Sequence, residues 1–340
     1  VTGLLQADAV ALPLADDSVD LVVTSPPYFA LRSYQDDGDH YDGQIGSEAT
    51  PAEFLDALWT VTRECVRVLK PSGSLWVNLG DKYSGVNPGS YRRHTQPMGP
   101  DGKTATGYHA AAAASEAEAD HKPDWDGVRP KSLLGLPWRY AIGCIDDLGL
   151  ILRAEVVWSK PNGLPESVTD RVRRSHEQWF HFTLEPRYFS AIDEIREPHK
   201  EVSLKRAAPH RANVLAHEDR HEVNMSQACH PLGRLPGSVW SIPSEPLKVP
   251  DDLGVDHFAA FPQEWPRRLI LGWCPPDGVV LDPFAGTGTV PMVARALGRT
   301  GIGIDLSADY LRLASWRVFE SGHAAKSTAR TNGERQGTLL

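Results

Sequence analysis

Five consecutive residues, Thr24-Ser25-Pro26-Pro27-Tyr28, carry the densest chemistry in the sequence. Ser25 offers a hydroxyl, Pro26 a carbonyl outside any sheet ladder, and Tyr28 an aromatic face. Together they suit a flat group that bears an amine. Two prolines in a row neither continue a sheet nor let Ser25 start a helix, so the backbone must turn out rigidly here. From these residues alone, a plain Pro-Pro loop with a packing tyrosine reads the same way.

A second constellation lies far downstream. Val279-Val280-Leu281 is an apolar run that ends in Asp282 and enters Pro283-Phe284-Ala285-Gly286-Thr287-Gly288-Thr289. Glycine at such a turn lets backbone come close to a ligand. Residues 290–298 then read as a helix with a glycine stop. The next apolar run, Thr300 to Ile304, sets Asp305 at its tip about 20 residues beyond the glycines, a spacing suited to gripping ribose hydroxyls. The turn has no Lys-Ser/Thr ending and is not G-x-G-x-x-G, which weakens the triphosphate and dinucleotide readings.

Both motifs need strands to hold them. The runs at 3–6, 18–23, 74–79, 150–158, 178–184, 238–243, 279–281 and 300–304 have the length and apolar content of buried strands. Between them, Phe54, Leu55, Leu58, Val61, Cys65, Val66 and Leu69 recur on one face of a helix stopped by Lys70-Pro71-Ser72-Gly73, and further helices are expected at about 133–148 and 265–273. Strands alternating with helices imply a parallel α/β sheet, and the C-terminal ends of its strands are where such sheets place their chemistry. The composition, 41% hydrophobic over 340 residues, is enough for one core with insertions.

The pair of motifs, in this order, resembles the β class of DNA amino-methyltransferases, S-adenosylmethionine enzymes that methylate the N4 of cytosine or the N6 of adenine. The resemblance covers about residues 1–82, 132–190 and 254–320. It implies a doubly wound, mostly parallel Rossmann-like methyltransferase sheet with a reversed strand near one edge, a circularly shifted motif order and an inserted target-recognition region. Residues 1–82 would form the catalytic half, 132–185 its continuation and 254–321 the cofactor half. The stretch 83–131 would be a flexible insertion that suits contact with DNA, 186–253 the recognition region and 322–340 a disordered tail.

It also implies roles. Ser25, Pro26, Pro27 and Tyr28 would be catalytic, with Ser25 and the Pro26 carbonyl accepting the hydrogens of the exocyclic amine and Tyr28 stacking on a base turned out of the duplex. Asp8, Phe261, Pro262, Asp282, Phe284, Gly286, Gly288, Thr289 and Asp305 would hold S-adenosylmethionine. Asp8 also reads as a turn cap, and Phe261 with Pro262 as a hydrophobic staple. Arg32, Tyr34, Asn78, Lys160, Asn162, Arg171, Arg173 and Arg174 would face substrate or DNA. The cluster at 171–174 sits where phosphate contacts belong, though a solvated face has the same composition. Serine at position 25 leans towards cytosine N4. A methyltransferase for RNA, protein or small molecules, a silent DNA-binding relative, and a nucleotide-binding module remain rivals.

Composition narrows the rest. A formal net charge of -9 argues against a generic nucleic-acid coat while leaving room for a local basic cleft. No apolar run reaches membrane-span length, and the four cysteines form no C-x-x-C pair. No Pro-Cys pair occurs, against a carbon-5 mechanism that needs a thiolate. His217, His221, Cys229 and His230 have a metal-like spacing without a C-x-x-C partner, so no metal is expected. The expected partners are double-stranded DNA and, through the resemblance, a companion restriction endonuclease; the protein is expected to be cytoplasmic, of a prokaryote or phage, and a monomer or homodimer.

Overall fold

A computed structural model describes residues 2–30, 35–36, 39–40, 44–84, 127–129, 131–163, 165–205, 229–247, 249 and 260–320. Ten strands and five main helices follow one another along these residues. They are β1 (Gly3–Gln6), β2 (Val19–Thr24), β3 (Gln35–Asp36), β4 (Asp39–His40), α1 (Pro51–Val68), β5 (Leu69–Leu79), α2 (Leu136–Asp146), β6 (Ile151–Ser159), β7 (His176–Thr183), β8 (Val239–Ser241), α3 (Glu264–Trp273), β9 (Val279–Asp282), α4 (Thr289–Ala296), β10 (Thr300–Asp305) and α5 (Ala308–Ser315).

Eight strands form one sheet in the order β1-β10-β9-β2-β5-β7-β6-β8, and β3 pairs with β4 in a second, two-stranded sheet. All neighbours in the large sheet run parallel except at β7, which is antiparallel to β5 and to β6. This is the doubly wound sheet with one reversed strand that the sequence implies. Every residue of β2 is buried, as a central strand covered on both faces requires. Leu21 and Val22 of β2 pair with Val280 and Leu281 of β9. The two motif-bearing strands therefore lie side by side.

Helix α1 opens at Pro51. Thr50 caps it, accepting from the Glu53 amide while the Glu53 carboxylate accepts from the Thr50 amide. Its apolar stripe, Phe54, Leu55, Leu58, Val61 and Cys65, is buried against the sheet. At its far end the structure differs from expectation. Strand β5 begins at Leu69, directly after the helix, and a register shift between the Val19 and Leu21 pairings absorbs Lys70 to Gly73. Lys70 is anchored there by Asp20, whose carboxylate also receives the Val279 amide at 2.8 Å. Helix α2 is shorter than expected, and α5 is an element that the strand and helix pattern does not announce.

Two apolar layers fill the faces of the sheet. One lies beneath α1 and α2 and includes Phe29, Tyr140, Phe180 and Phe182. The other lies beneath α3 and α4 and is built largely from tryptophan. Trp179 and Trp240 each stack on Trp265 at 4.8 Å, an offset geometry that adds to the burial energy. Glycine allows close approach at one helix contact, where a Cβ on Gly143 of α2 would lie 2.1 Å from the Trp59 ring.

Candidate active site

Strand β2 ends at Thr24, whose hydroxyl donates to the Asp282 carboxylate at 2.8 Å. The bond joins the ends of β2 and β9 and sets Ser25-Pro26-Pro27-Tyr28 beside the glycine turn. Asp282 is 1% exposed and also accepts from the Phe284 amide at 3.1 Å. Burial pushes its carboxyl up to about 7, against the lowering effect of these two hydrogen bonds. Asp282 thus ties the two loops together from inside.

The serine and the tyrosine meet on one amide. Ser25 Oγ lies 3.3 Å and the Tyr28 hydroxyl 2.9 Å from Asn78 Oδ1. Asn78 Nδ2 donates to the Gln178 carbonyl at 3.0 Å, which fixes the amide with its oxygen towards the two hydroxyls. Asn78 itself is 1% exposed. The Tyr28 ring lies against Gly80, where a Cβ would come within 2.6 Å of Tyr28 Cε2. Behind the loop, Lys82 Nζ donates to the Ala30 carbonyl at 2.6 Å. The result is a set of one hydroxyl, one proline carbonyl and one aromatic ring, with the serine and the tyrosine both held by Asn78.

On the β9 side, the turn bends through Gly286 at φ 47° and Gly288 at φ 72°, both in the left-handed region that glycine tolerates. The Gly286 amide donates to Asp305 Oδ2 at 2.8 Å, and the Ser307 amide to Asp305 Oδ1 at 2.9 Å. A Cβ on Gly288 would lie 2.8 Å from the Ala314 Cβ of α5, so glycine here also seats the turn on that helix. Arg317, 4% exposed, reaches in from the turn after α5. Its guanidinium donates to the Thr287 carbonyl at 3.0 Å, to the Thr287 hydroxyl, and to the Thr289 hydroxyl at 2.9 Å. Burial lowers its pKa to about 10, still well above neutrality. A carboxylate at a strand tip that can accept from a ribose diol, a glycine turn and the aromatic Phe284 form a surface that fits an adenosine.

Other residues singled out from the sequence have varied surroundings. Asp8 is exposed and accepts from the Val10 amide at 3.1 Å, the geometry of a turn cap. Phe261 packs edge-on against Trp179 at 5.7 Å, and the Pro262 carbonyl accepts from the Trp265 amide, so both hold the start of α3. Asn162 exchanges hydrogen bonds with Ser244, clamping the loop after β8. Arg171 pairs with Glu166 at 2.7 Å and lies 3.9 Å over the Tyr83 ring. Arg173 donates to the Gly163 carbonyl, and Arg174 is turned inward, 3.8 Å from Asp81. Asp81 accepts from the amides of Gly135 and Leu136 at the start of α2, which makes it a helix cap. Arg32, Tyr34, His217 and His221 lie outside the described residues. Among the described residues no group of His, Cys, Asp or Glu could hold a metal ion, and no helix is long and apolar enough to cross a membrane.

Sequence reasoning misses three participants. Glu177 accepts from the Tyr28 hydroxyl at 2.9 Å and pairs with Lys160; in the sequence it stands at the end of a basic run and draws no notice of its own. Gly80 reads only as a strand end, and Arg317 falls just beyond an element that the pattern does not announce.

Comparison with known proteins agrees with this geometry. The model of a family described as DNA methylase, covering N6 and N4 methyltransferases, matches residues 19–315. The Type II methyltransferase M.XycI of Xanthomonas campestris pv. cyanopsidis is 35% identical over 319 residues, 93% of this chain and 87% of that protein. M.Cfr9I of Citrobacter freundii, also named a Type II methyltransferase, is 34% identical with the same coverage. Among solved structures, the PvuII DNA methyltransferase, described as cytosine-N4-specific, superposes with a TM-score of 0.60 at 18% identity, over 97% of this chain and 91% of that one.

Proposed function

The chain belongs to the N6/N4 DNA methylase family, whose methyl donor is S-adenosylmethionine, and we propose that it methylates the exocyclic N4 of a cytosine turned out of duplex DNA. The observation that carries this reading is the junction of β2 and β9, where the Thr24–Asp282 bond sets the Ser25 loop beside the glycine turn. When bound, the donor supplies an electrophilic methyl on a positively charged sulfur, so no metal is needed. Asp305, Phe284 and the turn at Gly286 to Thr289 would hold it.

The chain's own residues supply position and polarity. An exocyclic amine is conjugated with its ring and is a poor nucleophile. Ser25, with its proton directed to Asn78, turns oxygen lone pairs outward to accept an amine hydrogen, and the Pro26 carbonyl accepts the other. Accepting both hydrogens favours a pyramidal nitrogen with its lone pair free. Tyr28 offers a ring on which an extruded base stacks, and positioning of this kind supplies a large part of the rate. A hydroxyl in place of the carboxylate that adenine enzymes of the resembling class carry supports cytosine, as does the cytosine-N4 specificity of the PvuII neighbour.

The stretch 186–253 is assigned to recognition of the target sequence and 83–131 to DNA contact. The names of the Type II relatives support a companion restriction endonuclease. The test is transfer of labelled methyl to unmethylated duplex DNA, with digestion to nucleosides and mass spectrometry. N4-methylcytosine, lost in Ser25→Ala and Tyr28→Ala, is expected; N6-methyladenine would overturn the assignment of the base.

A further inference from the structure

Tyr28 is tethered at its far end by a charged group from a different part of the sheet. Glu177, in the reversed strand β7, has a side chain only 17% exposed. One of its oxygens lies 2.9 Å from the Tyr28 hydroxyl, and the other pairs with Lys160 of the segment after β6. The Lys160 ammonium in turn rests 4.0 Å over the Trp158 ring. A carboxylate this sheltered is costly unless it is paired, and Lys160 offsets that cost.

The Tyr28 hydroxyl carries one proton and faces two acceptors, Glu177 Oε2 and Asn78 Oδ1, both at 2.9 Å. A carboxylate accepts more strongly than a neutral amide. The charged partner therefore takes the larger share of the phenol's proton and leaves Asn78 Oδ1 with capacity for the Ser25 hydroxyl. The ring lies on the Gly80 backbone, where a Cβ would come within 2.6 Å of Tyr28 Cε2, and the hydroxyl bonds at its far end set how the ring is tilted on that surface.

Resting on the methyltransferase reading above, we propose that Glu177, neutralised by Lys160, is a positioning residue for methyl transfer: it fixes the Tyr28 ring against the target base and keeps Asn78 available to orient Ser25. It acts through Tyr28 and does not itself touch the reacting atoms. Strand β7 thereby joins the catalytic loop to the part of the chain assigned to DNA.

The experiment is a double-mutant cycle on the full chain with Glu177→Gln and Tyr28→Phe. Each variant is assayed for single-turnover methyl transfer, for S-adenosylmethionine affinity by tryptophan quenching, and for the ζ-carbon resonance of Tyr28 in tyrosine-labelled protein. Glu177→Gln should lower the rate about tenfold, the size of a lost charge-assisted hydrogen bond, while cofactor affinity holds. Tyr28→Phe should lower it similarly, and the double variant should be no slower than the slower single one. The Tyr28 resonance should move in Glu177→Gln and in Lys160→Met, which keeps the carboxylate but removes its counter-charge. Rate losses that multiply in the double variant, or a Tyr28 resonance indifferent to both changes, would overturn the inference while leaving the methyltransferase reading intact. A wild-type protein that binds the cofactor yet methylates no DNA would overturn that reading and this inference together.

Discussion

Replacing Asp282 with asparagine should flatten the pH dependence of stability. Burial holds the native carboxyl at about 7, against 3.8 for an ordinary aspartate. A native state that keeps a proton which the unfolded chain has released loses stability as pH rises through that window. The contribution is fully present below the unfolded value, declines up to about pH 7, and stays low above it. The difference corresponds to about 4 kcal/mol across the whole window, of which about 2 to 3 kcal/mol falls between pH 5 and pH 8. Asparagine keeps an oxygen to accept from Thr24 and the Phe284 amide but does not titrate. Urea unfolding of both proteins across this range gives the stability difference, in which other titrating groups largely cancel. The variant should gain on the wild type by about 2 to 3 kcal/mol from pH 5 to pH 8. A difference that stays level would refute the claim that a buried carboxyl titrating at about 7 joins the two loops.

Three further outcomes follow from the same geometry. Gly80→Ala places a Cβ 2.6 Å from the Tyr28 ring, so the methyl-transfer rate should fall by about 100-fold, with little change in melting temperature or in cofactor affinity. Arg317→Met removes the guanidinium that spans Thr287 and Thr289; titration calorimetry should show cofactor affinity weakened by about tenfold, the scale of one lost charged hydrogen bond, with part recovered in Arg317→Lys. Thr50→Ala strips the cap of α1 and should cost about 1 kcal/mol in urea unfolding while the transfer rate is unchanged.

The central part of the sheet was legible because its strands announce themselves. Val19 to Thr24 and Val279 to Asp282 are largely apolar runs that lead straight into proline- and glycine-bearing turns, and a parallel order follows from the helices between them. The apolar face of α1, with Phe54, Leu55, Leu58, Val61 and Cys65, is legible for the same reason: the signal is local. What was not legible depends on contacts across the sheet. Glu177 is only the end of a basic stretch until β7 is seen to run antiparallel to β5, which brings it to Tyr28. The arginines at 171, 173 and 174 read as an outward cluster, yet carbonyls and carboxylates from Gly163, Glu166 and Asp81 draw them back onto the protein. Helix α5 is only eight residues long and buries just Leu313 and Ala314, too little apolar periodicity to stand out from the sequence that follows.

The pairing of β2 with β9 also governs how the protein comes into being. Thr24 and Asp282 are 258 residues apart, so when β2, β5 and their neighbours have left the ribosome, β2 still waits for its other partner. Its six residues, all buried in the finished protein, then form an open strand edge of the kind that recruits unwanted pairing. Domains fold as units, and the β2 edge of this sheet closes only when residues 279–282 are present. A chain lacking those residues would carry the Ser25 loop without its glycine turn, and its open β2 edge would favour association.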